Sequence, residues 1–150
     1  MSRVRSKNTR LETAIRKRLF AFGFRYRLHS ISLPGKPDLT LKKYNTAIFF
    51  NGCFWHLHGC EFSGIPETRS LWWKQKLTTN KERDYRNLKM LRANGWRIVI
   101  VWECAIRKLR LAKHIVKLDK ISYLIRDFLY SDKRYMEIDY SGKRLLPGKY

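Results

Sequence analysis

Three cysteines and one histidine form the densest group of chemically active side chains in this sequence. Cys53, His58 and Cys60 fall within eight residues, and Cys104 follows an apolar run farther along the chain. Three thiolates and one imidazole are the ligand set of a closed, tetrahedral structural zinc site. The alternative is three unrelated cysteines that are buried as small apolar side chains. An odd cysteine count beside histidines favours a metal over disulfides, so the sequence predicts a structural zinc.

Two further side chains could act on a substrate. His56 precedes His58 by two residues, and a free imidazole there could serve as a general base near neutral pH. His56 could also replace His58 as a metal ligand, or simply pack in the core. Asp38 opens a predicted strand and could bind a cation, although capping the strand or pairing with an arginine would also explain it. A second contact to that cation could come from one of three carboxylates: Glu12, Glu61 and Glu103.

Large aromatic side chains accompany this group, namely Phe54, Trp55, Trp72 and Trp73. Packing in the core is the usual role of such residues. In a strongly basic protein they could instead stack on nucleic-acid bases or wedge between them.

The composition narrows the class of protein. With 150 residues, 44% of them hydrophobic and 14% aromatic, the chain can form one globular domain. The net charge of +21 opposes folding by self-repulsion and indicates a polyanion partner, although a solvated basic surface is the alternative. Nucleic acid is favoured over a membrane surface. No stretch has the character of a signal peptide or a membrane span, so we expect a cytoplasmic protein.

The chain before the cysteines is predicted to hold a basic arm, one helix and three strands, over residues 1–8, 10–22, 24–29, 38–41 and 47–50 respectively. Thr9 and Glu12 form a capping box that starts the helix. The last two strands resemble an antiparallel hairpin. That pairing would place Asp38 beside Phe50 and Asn51, where a carboxylate suits a cation.

After the cysteines we predict an aromatic segment, a helix, a buried strand and a second helix, over residues 68–77, 79–94, 96–102 and 107–130. Thr79 and Glu82 form a second capping box at the start of the first of these helices. A strand, a helical crossover and a strand favour a parallel pair. The second helix can bury one face made of Leu111, Ile115, Leu118, Ile121, Leu124 and Phe128. Residues 131–150 show no regular pattern, so 107–150 is predicted to be a helix and a tail.

Four segments resemble the very short patch repair endonucleases, bacterial enzymes that nick DNA at T:G mismatches. They are Leu33–Asp38 (LPGKPD), Phe49–His56 (FFNGCFWH), Glu82–Asp84 (ERD) and Gly95–Cys104 (GWRIVIVWEC). The likeness runs in order from about residue 6 to residue 107. The resemblance implies an α/β fold with a restriction-endonuclease-like core, in which a mixed β-sheet is flanked by helices and a zinc site is structural.

The resemblance also implies roles for individual residues. Asp38 matches a magnesium-binding aspartate, and Phe50 matches a residue whose backbone carbonyl binds the same Mg²⁺. His56 matches a catalytic histidine. The zinc ligands match Cys53, His58, Cys60 and Cys104, in agreement with their spacing. The DNA contacts match three aromatic residues and the basic arm, namely Phe54, Trp55 and Trp73 with Arg3, Arg5 and Lys7.

The expected substrate is therefore double-stranded DNA with a T:G mismatch, cut by a monomer that could have mismatch-repair protein partners. Three features depart from the best-known family pattern. Arg16 stands where a glutamate is expected, and Glu12 could substitute for it. Asn51 replaces a histidine, and Leu57 with Gly59 thins a histidine-rich loop. Two alternatives remain: a restriction-type endonuclease that cuts both strands, and a non-catalytic, zinc-containing DNA-binding module.

Overall fold

The structure is a computed structural model, and it describes residues 8–107 and 110–144. Six strands form one mixed sheet in the order β1-β2-β3-β4-β5-β6. The helices are α1 Arg10–Ala21, α2 Ser70–Ala93 and α3 Leu111–Leu129, and the strands are β1 Arg27–Leu28, β2 Leu39–Leu41, β3 Thr46–Asn51, β4 Arg97–Trp102, β5 Tyr135–Asp139 and β6 Gly142–Arg144. The predicted DNA-binding arm residues Arg3, Arg5 and Lys7 lie outside the described residues.

The first helix begins as its sequence predicts. The Thr9 hydroxyl accepts a hydrogen bond from the Glu12 N–H at 3.2 Å, and the Glu12 carboxylate accepts one from the Asn8 N–H at 2.7 Å. The first bond satisfies an N–H group of the first helical turn that has no partner inside the helix, and the second ties Glu12 to the residue before the cap. These bonds also fix the Glu12 side chain at the start of α1, where it is almost fully buried.

The central hairpin and the parallel pair are both confirmed. Strands β2 and β3 are antiparallel, while β3 and β4 are parallel and lie in register from Thr46 opposite Arg97 to Asn51 opposite Trp102. Strand β4 also pairs in parallel with β5. Because β3 and β4 run in the same direction, their carboxyl ends reach the same edge of the sheet. The residues that follow Asn51 and Trp102 therefore start out side by side.

Helices cover both faces of this sheet. Alternate residues of a strand point to opposite faces, and on β3 the side chain of Ile48 packs with α1 and α3, whereas Ala47 and Phe49 pack with α2. The prediction of an α/β fold with a mixed, helix-flanked sheet is confirmed.

Helix α2 corrects the prediction of a helix that begins at Thr79. The helix runs without a break from Ser70 to Ala93, and the Thr79 hydroxyl donates to the Gln75 carbonyl at 2.9 Å, one turn back. A threonine acts as a cap only where the residues before it are not helical. Residues 70–78 are helical, so the Thr79 side chain bonds inside the helix instead.

The other corrections concern the edges of the sheet and the C-terminal part. Of the predicted strand 24–29, only Arg27–Leu28 forms a β-strand, and Phe24 is instead buried in the core. Two strands, β5 and β6, occur where no pattern was recognised. Of the predicted buried face of α3, Ile115 is 48% exposed, whereas Leu118, Ile121 and Phe128 are buried. Within the described residues, no helix is long and apolar enough to cross a membrane.

Candidate active site and metal centre

A cleft of about 590 Å³ lies between the loop before β2, the end of β3 and helix α2. It is lined by both predicted catalytic residues, Asp38 and His56, together with Asn51 and the basic side chains of Lys36 and Arg83. The two catalytic candidates are 18 residues apart in sequence. The hairpin and the loop after β3 bring them to one concave surface that a substrate could reach.

Asp38 lies beside Phe50, as the hairpin register predicts. Its Oδ2 accepts a hydrogen bond from the Phe50 N–H at 2.8 Å. The pKa of Asp38 is raised from 3.8 to about 6, mainly by burial. The Phe50 N–H opposes this rise, the nearby carboxylate of Glu12 adds to it, and His29 and His56 oppose it. A carboxylate that lacks solvation in this way gains by binding a cation.

Glu12 and His29 complete a cluster around Asp38. His29 Nδ1 lies 3.8 Å from Asp38 Oδ1, and its Nε2 lies 3.5 Å from Glu12 Oε1. One potential ligand atom from each of the three residues falls within 4.8 Å of the others. Of the three carboxylates considered from sequence, Glu12 therefore joins Asp38, whereas Glu61 is exposed and Glu103 pairs with Arg107 at 3.7 Å.

Sequence reasoning missed His29. It lies at the end of the short edge strand β1 with a positive φ of 47°, a conformation that side chains rarely adopt without a compensating contact. Its N–H donates to the Asp38 carbonyl at 2.9 Å, so the backbone of His29 is bonded to Asp38 while its ring lies beside the carboxylate. Arg16 is the outer neighbour of this cluster, since its guanidinium lies 3.3 Å from Glu12 Oε1.

His56 has a carboxylate partner that sequence reasoning also missed. Its Nδ1 lies 2.5 Å from Asp84 Oδ2, and Asp84 is carried by the middle of α2. The segment ERD was noticed, but nothing local shows which residue its aspartate contacts. An ionised carboxylate can only accept, so Nδ1 carries the proton and Nε2 is the ring nitrogen that can take up another. This is the arrangement of an oriented general base.

The four predicted zinc ligands meet at the other side of the same loop. Potential ligand atoms of Cys53, His58, Cys60 and Cys104 all lie within 4.8 Å of one another. The parallel β3–β4 pair explains why a residue 44 positions after Cys60 joins them, because Cys104 follows β4 where Cys53 follows β3. Burial raises the pKa of both Cys53 and Cys104. Metal binding at this group would therefore release protons as the thiols ionise.

The aromatic residues form one cluster at the mouth of this loop. The Phe54 ring centroid lies 5.1 Å from that of Trp55 and 5.2 Å from that of Trp73, and Trp72 adjoins Trp73 at 4.8 Å. Trp55 is 37% exposed and Trp72 is 54% exposed. The cluster thus has a packed inner part and a surface that another molecule could contact.

Comparison with known proteins places these residues in a family. The model described as "DNA mismatch endonuclease Vsr" matches residues 1–62. The chain is 37% identical to the DNA mismatch endonuclease Vsr of Escherichia coli strain K12, across 95% of this chain and 94% of that protein.

Two further relatives are named type II nicking enzymes. V.XorIIP of Xanthomonas oryzae pv. oryzae is 44% identical over 73% of this chain and 80% of its own length. V.NmeAIP of Neisseria meningitidis is 37% identical over 85% of this chain and 87% of its own. The match to the Escherichia coli protein spans nearly the whole of both chains. The chain belongs to the Vsr family of DNA mismatch endonucleases.

Proposed function

We propose that this protein is a magnesium-dependent endonuclease that nicks one strand of double-stranded DNA beside a T:G mismatch, in very short patch repair. The observation that carries the proposal is the pairing of Asp38 with the Phe50 backbone on one wall of the cleft and of His56 with Asp84 on another. A cation site and an oriented general base that face one cleft suit phosphodiester hydrolysis. Membership of the Vsr family supports the same reaction.

The residues of the cleft fit Mg²⁺, which prefers carboxylate and carbonyl oxygens. The Phe50 N–H points to Asp38, and in a strand the N–H and C=O of one residue point to the same side. The Phe50 carbonyl therefore faces the Asp38 side too, and these two groups would hold the ion. A bound Mg²⁺ would supply charge stabilisation at the scissile phosphate.

The chain's own residues would carry the proton transfer. Asp84 holds His56 with Nδ1 protonated, so Nε2 accepts the proton of the attacking water. The new bond would form between that water's oxygen and phosphorus, the bond from phosphorus to the departing deoxyribose oxygen would break, and that oxygen would take a proton from solvent. Lys36 and Arg83 line the same cleft, where their positive charge would hold the DNA phosphates.

The Cys3His group fits a structural Zn²⁺ by its ligand set. Such a site would fix the loop 53–60, which carries His56 on one side and Phe54 with Trp55 on the other. Metal analysis of the purified protein should give about one equivalent of zinc. Folded and active protein without zinc would contradict the assignment.

The aromatic cluster would select the substrate. Partly exposed Trp55, supported by Phe54 and Trp73, could insert beside a mismatched step, where unstacking costs least. The arm residues Arg3, Arg5 and Lys7 would add phosphate contacts. Trp55→Ala should then weaken binding to mismatched DNA more than to paired DNA, and an equal loss on both would make Trp55 a general contact.

Several finer features belong to the same proposal. The core would be of the restriction-endonuclease type, the enzyme would act as a monomer, and it would work on DNA in the bacterial cytoplasm. Contacts with other mismatch-repair proteins are a further possibility of the family. Two curated relatives are named nicking enzymes, which favours cutting of one strand over the double-strand cutting of a restriction-type enzyme.

The test uses two duplexes with randomised flanks, each strand end-labelled in turn, that differ only in one central pair, T:G or T:A. With Mg²⁺, the proposal expects one nick beside the mismatch and none in the paired duplex. Cutting of both strands in the paired duplex would favour a restriction-type enzyme. Tight binding without any cutting would favour a non-catalytic binding module.

A further inference from the structure

The turn between β5 and β6 contacts the Cys3His group, although it lies far from that group in sequence. The group was predicted from the segment 53–104, and residues 131–150 had no predicted role. The structure places Asp139, the last residue of β5, 3.6 Å from the ring of His58. The contact joins the C-terminal hairpin to the loop that carries His56.

The two nitrogens of His58 face different partners. Nδ1 lies 3.6 Å from the Cys104 sulfur, on the side where the four ligand atoms converge. Nε2 lies 3.6 Å from Asp139 Oδ2. The ring also stacks on Trp102, with centroids 4.1 Å apart and planes inclined by 19°. The ring is thus held flat with one nitrogen directed to the metal group and the other to a carboxylate.

Asp139 is placed to accept a hydrogen bond from that ring. Asp139 is 1% exposed, and a buried carboxylate requires hydrogen-bond donors. Ser141 supplies two of them to Oδ1, from its N–H at 2.8 Å and its hydroxyl at 2.6 Å. Oδ2 is the oxygen that faces His58. The 3.6 Å separation exceeds a good N–H···O distance by roughly 0.6 Å, so the structure shows the two groups facing each other at ion-pair distance.

A second contact from the same turn points the same way. The Tyr140 backbone N–H donates a hydrogen bond to the sulfur of Cys104. Two consecutive residues of this turn, Asp139 and Tyr140, therefore contact two of the four proposed ligands, His58 and Cys104.

We propose that Asp139 is a positioning residue for the zinc site, which accepts a hydrogen bond from His58 Nε2 and so directs Nδ1 to the metal. A histidine ligand whose second nitrogen donates to a carboxylate is fixed in tautomer and orientation and is a better ligand. This inference rests on the zinc site of the proposed function. It makes the β5–β6 hairpin a part of that site rather than a tail.

The sequence offers a matched pair of variants. Asp139→Asn removes the charge but can still accept from the Ser141 N–H, so it preserves the turn. Ser141→Ala removes one donor to Asp139 and weakens the turn, but leaves the carboxylate opposite His58. If Asp139 only forms the turn, Ser141→Ala should weaken zinc binding at least as much as Asp139→Asn does.

The measurement is zinc affinity of the full chain, by competition with a chromophoric chelator, with the visible absorption of the Co²⁺-substituted protein as a second readout. Asp139→Asn should weaken zinc binding about 10- to 100-fold and shift the Co²⁺ bands, whereas Ser141→Ala should stay near wild type. A zinc affinity equal to that of the wild type, together with unchanged Co²⁺ bands in Asp139→Asn, would overturn the inference. A wild-type protein that binds neither metal would instead refute the zinc site itself.

A measurement on the wild-type protein needs no substitution at all. In a long-range ¹H–¹⁵N spectrum of the zinc-loaded protein, His58 should carry its proton on Nε2 and the metal on Nδ1. The opposite assignment would contradict the role of Asp139.

Discussion

Replacing Asp38 with Asn should stabilise the protein in the absence of Mg²⁺. The carboxylate of Asp38 is mostly buried, and burial is the largest cause that raises its pKa from 3.8 to about 6. When it is ionised, a carboxylate that is buried in this way lowers the free energy of unfolding. Asn has nearly the same shape and can still accept the hydrogen bond from the Phe50 N–H, so the substitution removes mainly the charge.

The magnitude follows from the difference between the two pKa values. A difference of about two pKa units, at about 1.4 kcal/mol for each unit, corresponds to roughly 3 kcal/mol of folding free energy. Between pH 3.8 and about 6 the folded protein binds more protons at Asp38 than the unfolded chain does, so stability falls as the pH rises. The full cost is present above about pH 6. Asp38→Asn should therefore match the wild type near pH 4 and exceed it by roughly 3 kcal/mol at pH 7.5.

The assay is urea or thermal unfolding of both proteins in magnesium-free buffer from pH 4 to 8. For a chain of this size the difference at pH 7.5 corresponds to an increase in Tm of roughly 6–12 °C. Both proteins share the Cys3His group, so the loss of any metal bound there at low pH would affect them alike. Added Mg²⁺ should stabilise the wild type and leave Asp38→Asn unchanged.

Asp127→Asn is the control, because Asp127 is an exposed aspartate on α3 that pairs with its neighbour Arg126. It should leave the pH dependence unaltered. The reasoning would be refuted if Asp38→Asn were no more stable than the wild type at pH 7.5, or if its advantage were the same at pH 4.

Three further substitutions test other parts of the structure. Asp84→Asn should lower the single-turnover nicking rate roughly 10- to 100-fold, the worth of one charged hydrogen bond, with DNA affinity unchanged; a normal rate would show that His56 needs no orientation. Gly35→Ala should lower the free energy of unfolding, measured in urea, by about 1–2 kcal/mol. Gly35 has a φ of 74°, and an added Cβ would lie 3.2 Å from Asn87 Cβ. Gly64→Ala is the control and should lower this free energy little, because its added Cβ meets open space. Arg97→Leu should lower the free energy of unfolding, measured by thermal unfolding, by roughly 2–4 kcal/mol. The Arg97 guanidinium donates hydrogen bonds to four backbone carbonyls at the end of α3 and just after it. A smaller loss would mean that water replaces these bonds.

The parts that sequence reasoning predicted rest on short-range patterns. Thr9 and Glu12 mark the start of α1 within four residues, and the apolar strands around a short turn define the β2–β3 hairpin. The place of Asp38 beside Phe50 then follows from register alone. Cys53, His58 and Cys60 are close in sequence, and only Cys104 needed an inference about which strands are neighbours.

The missed features depend on contacts between distant segments. His29, Asp84 and Asp139 are polar residues in ordinary surroundings, and no local pattern shows that each one faces a residue of the active site or of the metal group. The capping-box pattern at Thr79 was misleading because it occurs inside a helix, where residues 70–78 already form the preceding turns. Strand β5 was missed because its residues pair with β4 across an intervening helix.

We propose that Asp38 and His56 act together to cut one DNA strand at a T:G mismatch. The most direct measurement is the single-turnover nicking rate on an end-labelled T:G duplex with Mg²⁺, for the wild type and for Asp38→Asn, His56→Ala and His114→Ala. The first two variants should bind the duplex but lose nicking, with His56→Ala slower by roughly 10²- to 10⁴-fold. His114, on α3, should be dispensable. Nicking by Asp38→Asn or His56→Ala at the wild-type rate would contradict the account.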